Sequence, residues 1–296
     1  MAMTYTEQQL TASAPVDIEP PLVDSHFHIF PLGLPYTATA HARPDYSLTA
    51  EEYIATMDEY GVQFGVVAAM SLTGYYNDYV VESLRANRRL RGTVYVPPTI
   101  GRGELREMDE AGVVGIRLFR SAVTFGALED LETHDYQVLL RRVRDLGWHV
   151  HVVGLPEHFG PTLDVLNAAG VKIVVDHFGH VDLNLLEHSP HYDAILRSVD
   201  LGRTWIKISG GFRLTDAQAP RGAADYAEAR ERERRLDAFL LEKYGTDRLV
   251  WGSDAPFVGH EGTVTYQDRI DSYVYAVPSN ATRRAIDRTA LKLYFS

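Results

Sequence analysis

The chain has 296 residues, with 29 Lys or Arg against 40 Asp or Glu, 12 His and no Cys. A 45% apolar share and a formal charge of −11 give ample core material and no basic face for nucleic acid. Without cysteine there is no disulfide, no thiolate nucleophile and no sulfur-held zinc, so any metal must be bound by imidazole and carboxylate.

The opening MAMTYTEQQLTASAPV lacks the basic start and apolar run of a signal peptide. No apolar stretch approaches the roughly 18 residues that span a bilayer. The expectation is a soluble, cytoplasmic protein without membrane or nucleic-acid partners; a homo-oligomer stays open. Residues 1–20 read as a flexible lead-in to a single domain over 21–296.

From there, short β-branched or aromatic runs recur: LVDSHFH (22–28), FGVVAAM (64–70), GTVYVPP (92–98), VVGIRLF (113–119) and WHVHVV (148–153). VKIVVDH (171–177), TWIKIS (204–209) and RLVWGSD (248–254) complete eight predicted strands. Stretches of helical period separate them, among them 50–61, 78–92, 134–147 and 228–245. Gly61, Gly112, Gly147, Gly170 and Gly245 stand where left-handed C-caps belong. Eight β–α units in about 250 residues predict an α/β (β/α)8 TIM barrel with a parallel sheet covered on both faces. The competing layout is a doubly wound open sheet, weakened because no glycine-rich phosphate loop follows the first strand.

A barrel carries its reactive groups at the C-terminal strand ends. Those ends hold His26 and His28 on the first strand, Arg117 on the fourth and His151 near the end of the fifth. Asp176 and His177 close the sixth and Asp254 the eighth. Alternation puts His26 and His28 on one side of their strand. Burying four such polar groups without partners would cost roughly 1–3 kcal/mol each, so His26, His28, His177 and Asp254 read as a functional cluster rather than packing.

VDSHFH (23–28), VVDHFGH (174–180) and LVWGSDAP (249–256) resemble the VD-x-H-x-H, V-x-DH-x-G and WG-[ST]-D-x-P segments of the amidohydrolase superfamily, amidohydrolase-2 branch. GVVGIRLF, LGWHVHVV and WIKISGGFRL fall in the expected order, so the resemblance covers the chain from about residue 20. Within that branch the pattern is most similar to the 2-pyrone-4,6-dicarboxylate lactonases. The resemblance implies a hydrolase that opens an acidic lactone; the alternative is a metal-dependent non-oxidative decarboxylase or hydratase on the same barrel.

Asp254 is the expected general base. Moving a proton from free water (pKa about 15.7) to a carboxyl of pKa about 3.9 is uphill by roughly 16 kcal/mol; zinc-bound water, near 7, cuts this to roughly 4 kcal/mol. Two readings follow. One divalent metal, zinc in preference, sits on His26, His28, His177 and Asp254, with His151 either a further ligand or a barrel-interior histidine bonded to a neighbour. Alternatively no metal is used, as the lactonase resemblance allows, and the same imidazoles polarise the lactone carbonyl. With no lysine on the fourth or fifth strand, a mononuclear centre is the ceiling.

A chain of charge −11 needs local cations for a small anionic substrate. Arg117 and Arg213 match the lactonases' substrate arginines; Arg120 is displaced from the second of that pair, and each could instead form a salt bridge. His180 stands where the lactonase pattern has arginine, and Ala255 where it has tryptophan. Tyr36 and Ser71 are further candidates for the mouth, with Tyr75, Tyr76 and Asn77 behind them. Lys207 is either a barrel-layer residue or a ligand contact, and His149 reads as structural.

Overall fold

The computed structural model describes residues 19–121, 128–180, 189–214 and 223–296; residues 1–18, most of the expected lead-in, lie outside them. Eight strands alternate with helices: β1 Val23–Phe27, α1 Ala50–Glu59, β2 Phe64–Val67, α2 Asp78–Ala86, β3 Leu90–Val94, α3 Arg102–Ala111 and β4 Val113–Arg120. Then follow α4 His134–Asp145, β5 His149–Gly154, α5 Pro156–Ala169, β6 Lys172–Val175, α6 Pro190–Asp200 and β7 Thr204–Ser209. The chain ends with α7 Ala223–Tyr244, β8 Leu249–Gly252, α8 Tyr266–Ala276 and α9 Asn280–Tyr294.

Local chemistry sets the boundaries. Thr49 and Thr265 open α1 and α8 with reciprocal capping boxes to Glu52 and Asp268. Helices α3 and α5 stop at Gly112 and Gly170, whose φ of 110° and 74° only glycine adopts without steric cost. Among the described residues no helix is long and apolar enough to cross a membrane.

The strands pair in parallel in sequence order, β1 to β8. A doubly wound sheet would reverse direction at a switch point; here every crossover advances by one strand, which curls the sheet round. Closure comes where β8 runs past its last ladder residue to meet β1. Phe27 bridges Ala255, the Asp254 amide donates to the His26 carbonyl at 2.7 Å, and the His28 amide donates to the Ala255 carbonyl at 2.8 Å. The barrel is thus sealed by the two segments that carry the candidate site.

Val66, Val174 and Val250 pack with Val23 and with Ala290, Leu293 and Tyr294 of α9, which stop the barrel at the strands' N-terminal ends. A larger core lies between strands and helices. Asp24 fastens the seam from that outer layer. Its Oδ1 accepts from the amides of His26 (3.0 Å) and Ser253 (2.9 Å), and its Oδ2 from the hydroxyls of Tyr53 and, at 3.0 Å, Tyr266. A register shift in β1 between Asp24 and Phe27 lets Asp24 face the helices while His26 and His28 turn to the interior.

Candidate active site

Four side chains meet at the C-terminal end of the barrel. One carboxylate oxygen of Asp254, Oδ1, is faced by the Nε2 atoms of His26 at 3.6 Å, His28 at 3.7 Å and His177 at 3.7 Å. The other, Oδ2, accepts from Arg213 Nε at 2.7 Å. Asp254 and His177 both hold left-handed backbone conformations, φ 67° and 50°. Each such non-glycine residue costs about 1–3 kcal/mol, and such strain clusters where a side chain must be aimed at a reaction centre. Gly210 makes room: a Cβ there would lie 2.8 Å from His177 Nδ1 and 3.4 Å from Asp254 Oδ2.

Hydrogen bonds orient each ring. His28 Nδ1 donates to the Ala68 carbonyl at 2.8 Å, so its Nε2 faces Asp254. His177 Nδ1 pairs with the Ser209 hydroxyl at 3.0 Å. Burial pushes His177 down to about 3 against the pull of Asp254, and burial with nearby Lys207 drives His26 well below the ordinary histidine value. These two rings are therefore neutral near pH 7. Burial raises the Asp254 carboxyl, but Arg213 and His177 outweigh it and hold the group well below the usual carboxylate range.

A second polar layer lies beneath. Asp176 is fully buried and takes Arg117 Nε on Oδ2 at 2.8 Å and Lys207 Nζ near Oδ1 at 3.0 Å. These two cations override burial and keep Asp176 well below its ordinary value. Arg117 also donates to the Ala69 carbonyl at 2.7 Å. Lys207 reaches His26 Nδ1 at 3.1 Å and His151 Nδ1 at 3.2 Å.

Above the cluster opens a cavity of about 420 Å³, within the range of small-molecule sites. Of the residues expected from sequence, it is lined by His28, Ser71, Arg117, His177, His180, Arg213 and Asp254. The ring of His180 stacks on His177 at 5.7 Å, and its Nδ1 donates to the Gly154 carbonyl. Others stand elsewhere. Arg120 has the opposite parity to Arg117 on β4, so it points outward, to Thr162 of α5 and the Glu129 carbonyl. Tyr36 bonds the Pro44 carbonyl, Tyr75 bonds Glu129, and Asn77 ties the Tyr75 and Tyr95 carbonyls. His149 donates to the Val114 carbonyl beside Tyr294. Ala255 is buried in the closing bridge. His41, Ala42, Met70 and Val258 also line the cavity, from loops that no periodicity marks.

Ligand atoms of His26, His177 and Asp254 all lie within 4.8 Å of one another, a three-residue candidate for a metal ion. Nitrogen and oxygen donors of this kind, 3.6–3.7 Å apart, suit a zinc-like ion, whose ligands in a tetrahedron stand about 3.4 Å from each other. His28 adds an Nε2 at 3.7 Å from Asp254 Oδ1. His151 lies a layer lower, bound to Lys207.

An eight-stranded barrel with His-x-His, His and Asp at its mouth defines a class, and the amidohydrolase family profile matches residues 23–295: the chain belongs to that family. It is 28% identical over 256 residues to 4-sulfomuconolactone hydrolase of Rhizobium radiobacter, covering 84% of this chain and 80% of that one. It is 28% identical over 247 residues to 2-pyrone-4,6-dicarboxylate hydrolase of Comamonas testosteroni, covering 79% and 76%. The solved probable 2-pyrone-4,6-dicarboxylic acid hydrolase of Acinetobacter baumannii, with citric acid bound, superposes with a TM-score of 0.83 at 29% identity, covering 93% of this chain and 99% of that one.

Proposed function

We propose that the protein hydrolyses a lactone bearing a carboxylate or sulfonate, with Asp254 as the proton-transfer residue. One observation carries this reading: a single ionised carboxylate oxygen at the cavity floor is faced by three imidazoles, while its partner oxygen is held by arginine. Oδ1 takes a proton from water as its oxygen adds to the lactone carbonyl. An imidazole N–H facing the carbonyl supports the charge that develops on its oxygen. The ring C–O bond then breaks, and the proton on Asp254 passes to the leaving group, so that lactone and water become an open-chain acid. An enolate leaving group, as a pyrone provides, eases that step.

Charge supports an anionic substrate. Asp176 and Asp254 are balanced by Arg117, Arg213 and Lys207, leaving one positive charge in excess around the cavity of an otherwise acidic chain. Arg117 and Arg213, with His180 and Ser71, are the proposed contacts for the acid group. Citrate in the Acinetobacter relative agrees with a site for small polyanions. The divalent ion that the donor set suits is zinc, which His26, His28, His177 and Asp254 would hold; when bound, it supplies Lewis acidity and a more acidic water.

The test is a panel of acidic and neutral lactones, with acid release followed by a pH indicator. Turnover of acidic lactones, abolished in Asp254→Asn, is expected. If none is opened and none raises the melting temperature, or if carbon dioxide is the product, the proposal is wrong.

A further inference from the structure

Lys207 lies on β7, one layer below the reaction centre, with no exposed surface. Its ammonium has three protons and no lone pair. Two imidazole nitrogens accept from it, His26 Nδ1 at 3.1 Å and His151 Nδ1 at 3.2 Å, and Asp176 Oδ1 at 3.0 Å is its ion-pair partner. Each imidazole that accepts at Nδ1 must carry its own proton on Nε2. His26 Nε2 is buried, has no hydrogen-bond partner among the described residues, and points to the site where Asp254 Oδ1 stands 3.6 Å away.

We propose that Lys207 is a positioning residue that, in the metal-free protein, fixes the proton of His26 on Nε2, so that His26 presents a hydrogen-bond donor to the substrate's carbonyl oxygen and must release that proton before it can hold an ion. The inference rests on the lactone-hydrolase reading for the identity of the acceptor, but the position of the proton does not depend on it. The three rings at Asp254 are thereby unequal. His28 spends its Nδ1 proton on the Ala68 carbonyl, whereas His26 spends its Nδ1 lone pair on Lys207 and presents N–H. His151 is the third arm of the same cup, which accounts for a buried histidine on β5 that stands apart from the metal-candidate cluster.

Without Lys207, His26 has an alternative. Asp176 Oδ1 lies 3.4 Å from His26 Nδ1 and would accept its proton, freeing Nε2 as a ligand. Carboxylate–imidazole pairs of that kind raise ligand basicity at metal sites, and changing such a partner alters affinity by about 10–100-fold.

The experiment is long-range ¹H–¹⁵N correlation on protein labelled at histidine, with His26 assigned by its loss in His26→Asn. In the wild type the proton is expected on Nε2; a proton on Nδ1 overturns the proposal, and this spectrum needs neither substrate nor metal. In Lys207→Met the proton moves to Nδ1 and zinc affinity, read by competition with a chromophoric chelator, rises at least about tenfold. That gain must vanish when His26→Asn is added; a gain that survives comes from the lost positive charge and refutes the role of His26. Should Lys207→Met fail to fold, the wild-type spectrum still decides. Failure of the lactone panel with Nε2–H intact would remove the lactone reading and leave the role of Lys207 standing.

Discussion

Arg213 controls how basic Asp254 is, and its removal has a computable consequence. The guanidinium Nε sits 2.7 Å from Oδ2 of a carboxyl that is only 3% exposed, and the arginine side chain is itself 33% exposed. An opposite charge this close lowers a carboxyl by about 1–3 pKa units; the arginine's partial exposure places the effect in the lower part, about 1–2 units. At 1.36 kcal/mol per unit this is about 1.4–2.7 kcal/mol. In Arg213→Met the burial that raises Asp254 is no longer opposed by that charge. The base works only when ionised and fails as pH falls through its pKa, so a higher pKa moves the acidic limb of kcat/KM upward by about 1–2 units. Acid release assayed across pH on a folded variant measures this, and Arg213→Lys, which keeps a charge, should reverse most of the shift. Loss of a substrate contact would lower kcat/KM at every pH without moving the limb. A limb that stays within about 0.3 unit of wild type would show that Arg213 does not tune the base, and the proton-transfer role of Asp254 would need another support.

Asp254→Asn should lower kcat by about 10²–10⁴-fold while calorimetry still finds the acidic product bound, because Arg117 and the imidazoles remain. Gly210→Ala places a Cβ 2.8 Å from His177 Nδ1 at a φ of +62°, so a loss of roughly 1–3 kcal/mol in urea unfolding and a fall in kcat are expected together; unchanged kinetics would mean that His177 is not held by this contact. Tyr266→Phe removes one of two hydroxyls on Asp24 Oδ2 and should cost about 1–2 kcal/mol of stability with kcat within about twofold, since Tyr53 still serves that oxygen. A large kcat loss there would mean that the seam, rather than the mouth alone, sets the geometry of catalysis.

The mouth of the barrel was legible because polar residues at the ends of apolar runs are anomalies, and His26, His28, His177 and Asp254 are four of them on three strands. The same alternation rule that paired His26 with His28 would have separated Arg117 from Arg120. Both lie on β4, but only odd positions such as Arg117 and Phe119 face the cavity. Asp24 was opaque for a different reason. Three of its four partners lie 29, 229 and 242 residues away, and its direction depends on an irregularity in β1 that no local pattern announces.

Lys207, His151 and Asp176 break the apolar pattern as plainly as the mouth residues do, and sequence leaves open whether Lys207 lies in a barrel layer or touches ligand. That depth is a matter of register. His151 stands opposite Val174 on β6 and Lys207 opposite Val250 on β8, whereas His177 and Asp254 lie just beyond the last ladder residues of those strands. These offsets of three and four residues amount to roughly 10–13 Å of chain at strand spacing, enough to separate a group that touches substrate from one that decides which nitrogen of His26 carries its proton. Polar residues set back from a strand's end, when they recur around the barrel, therefore mark a supporting layer. In such a layer donor and acceptor counts, rather than proximity to the cavity, determine the chemistry above.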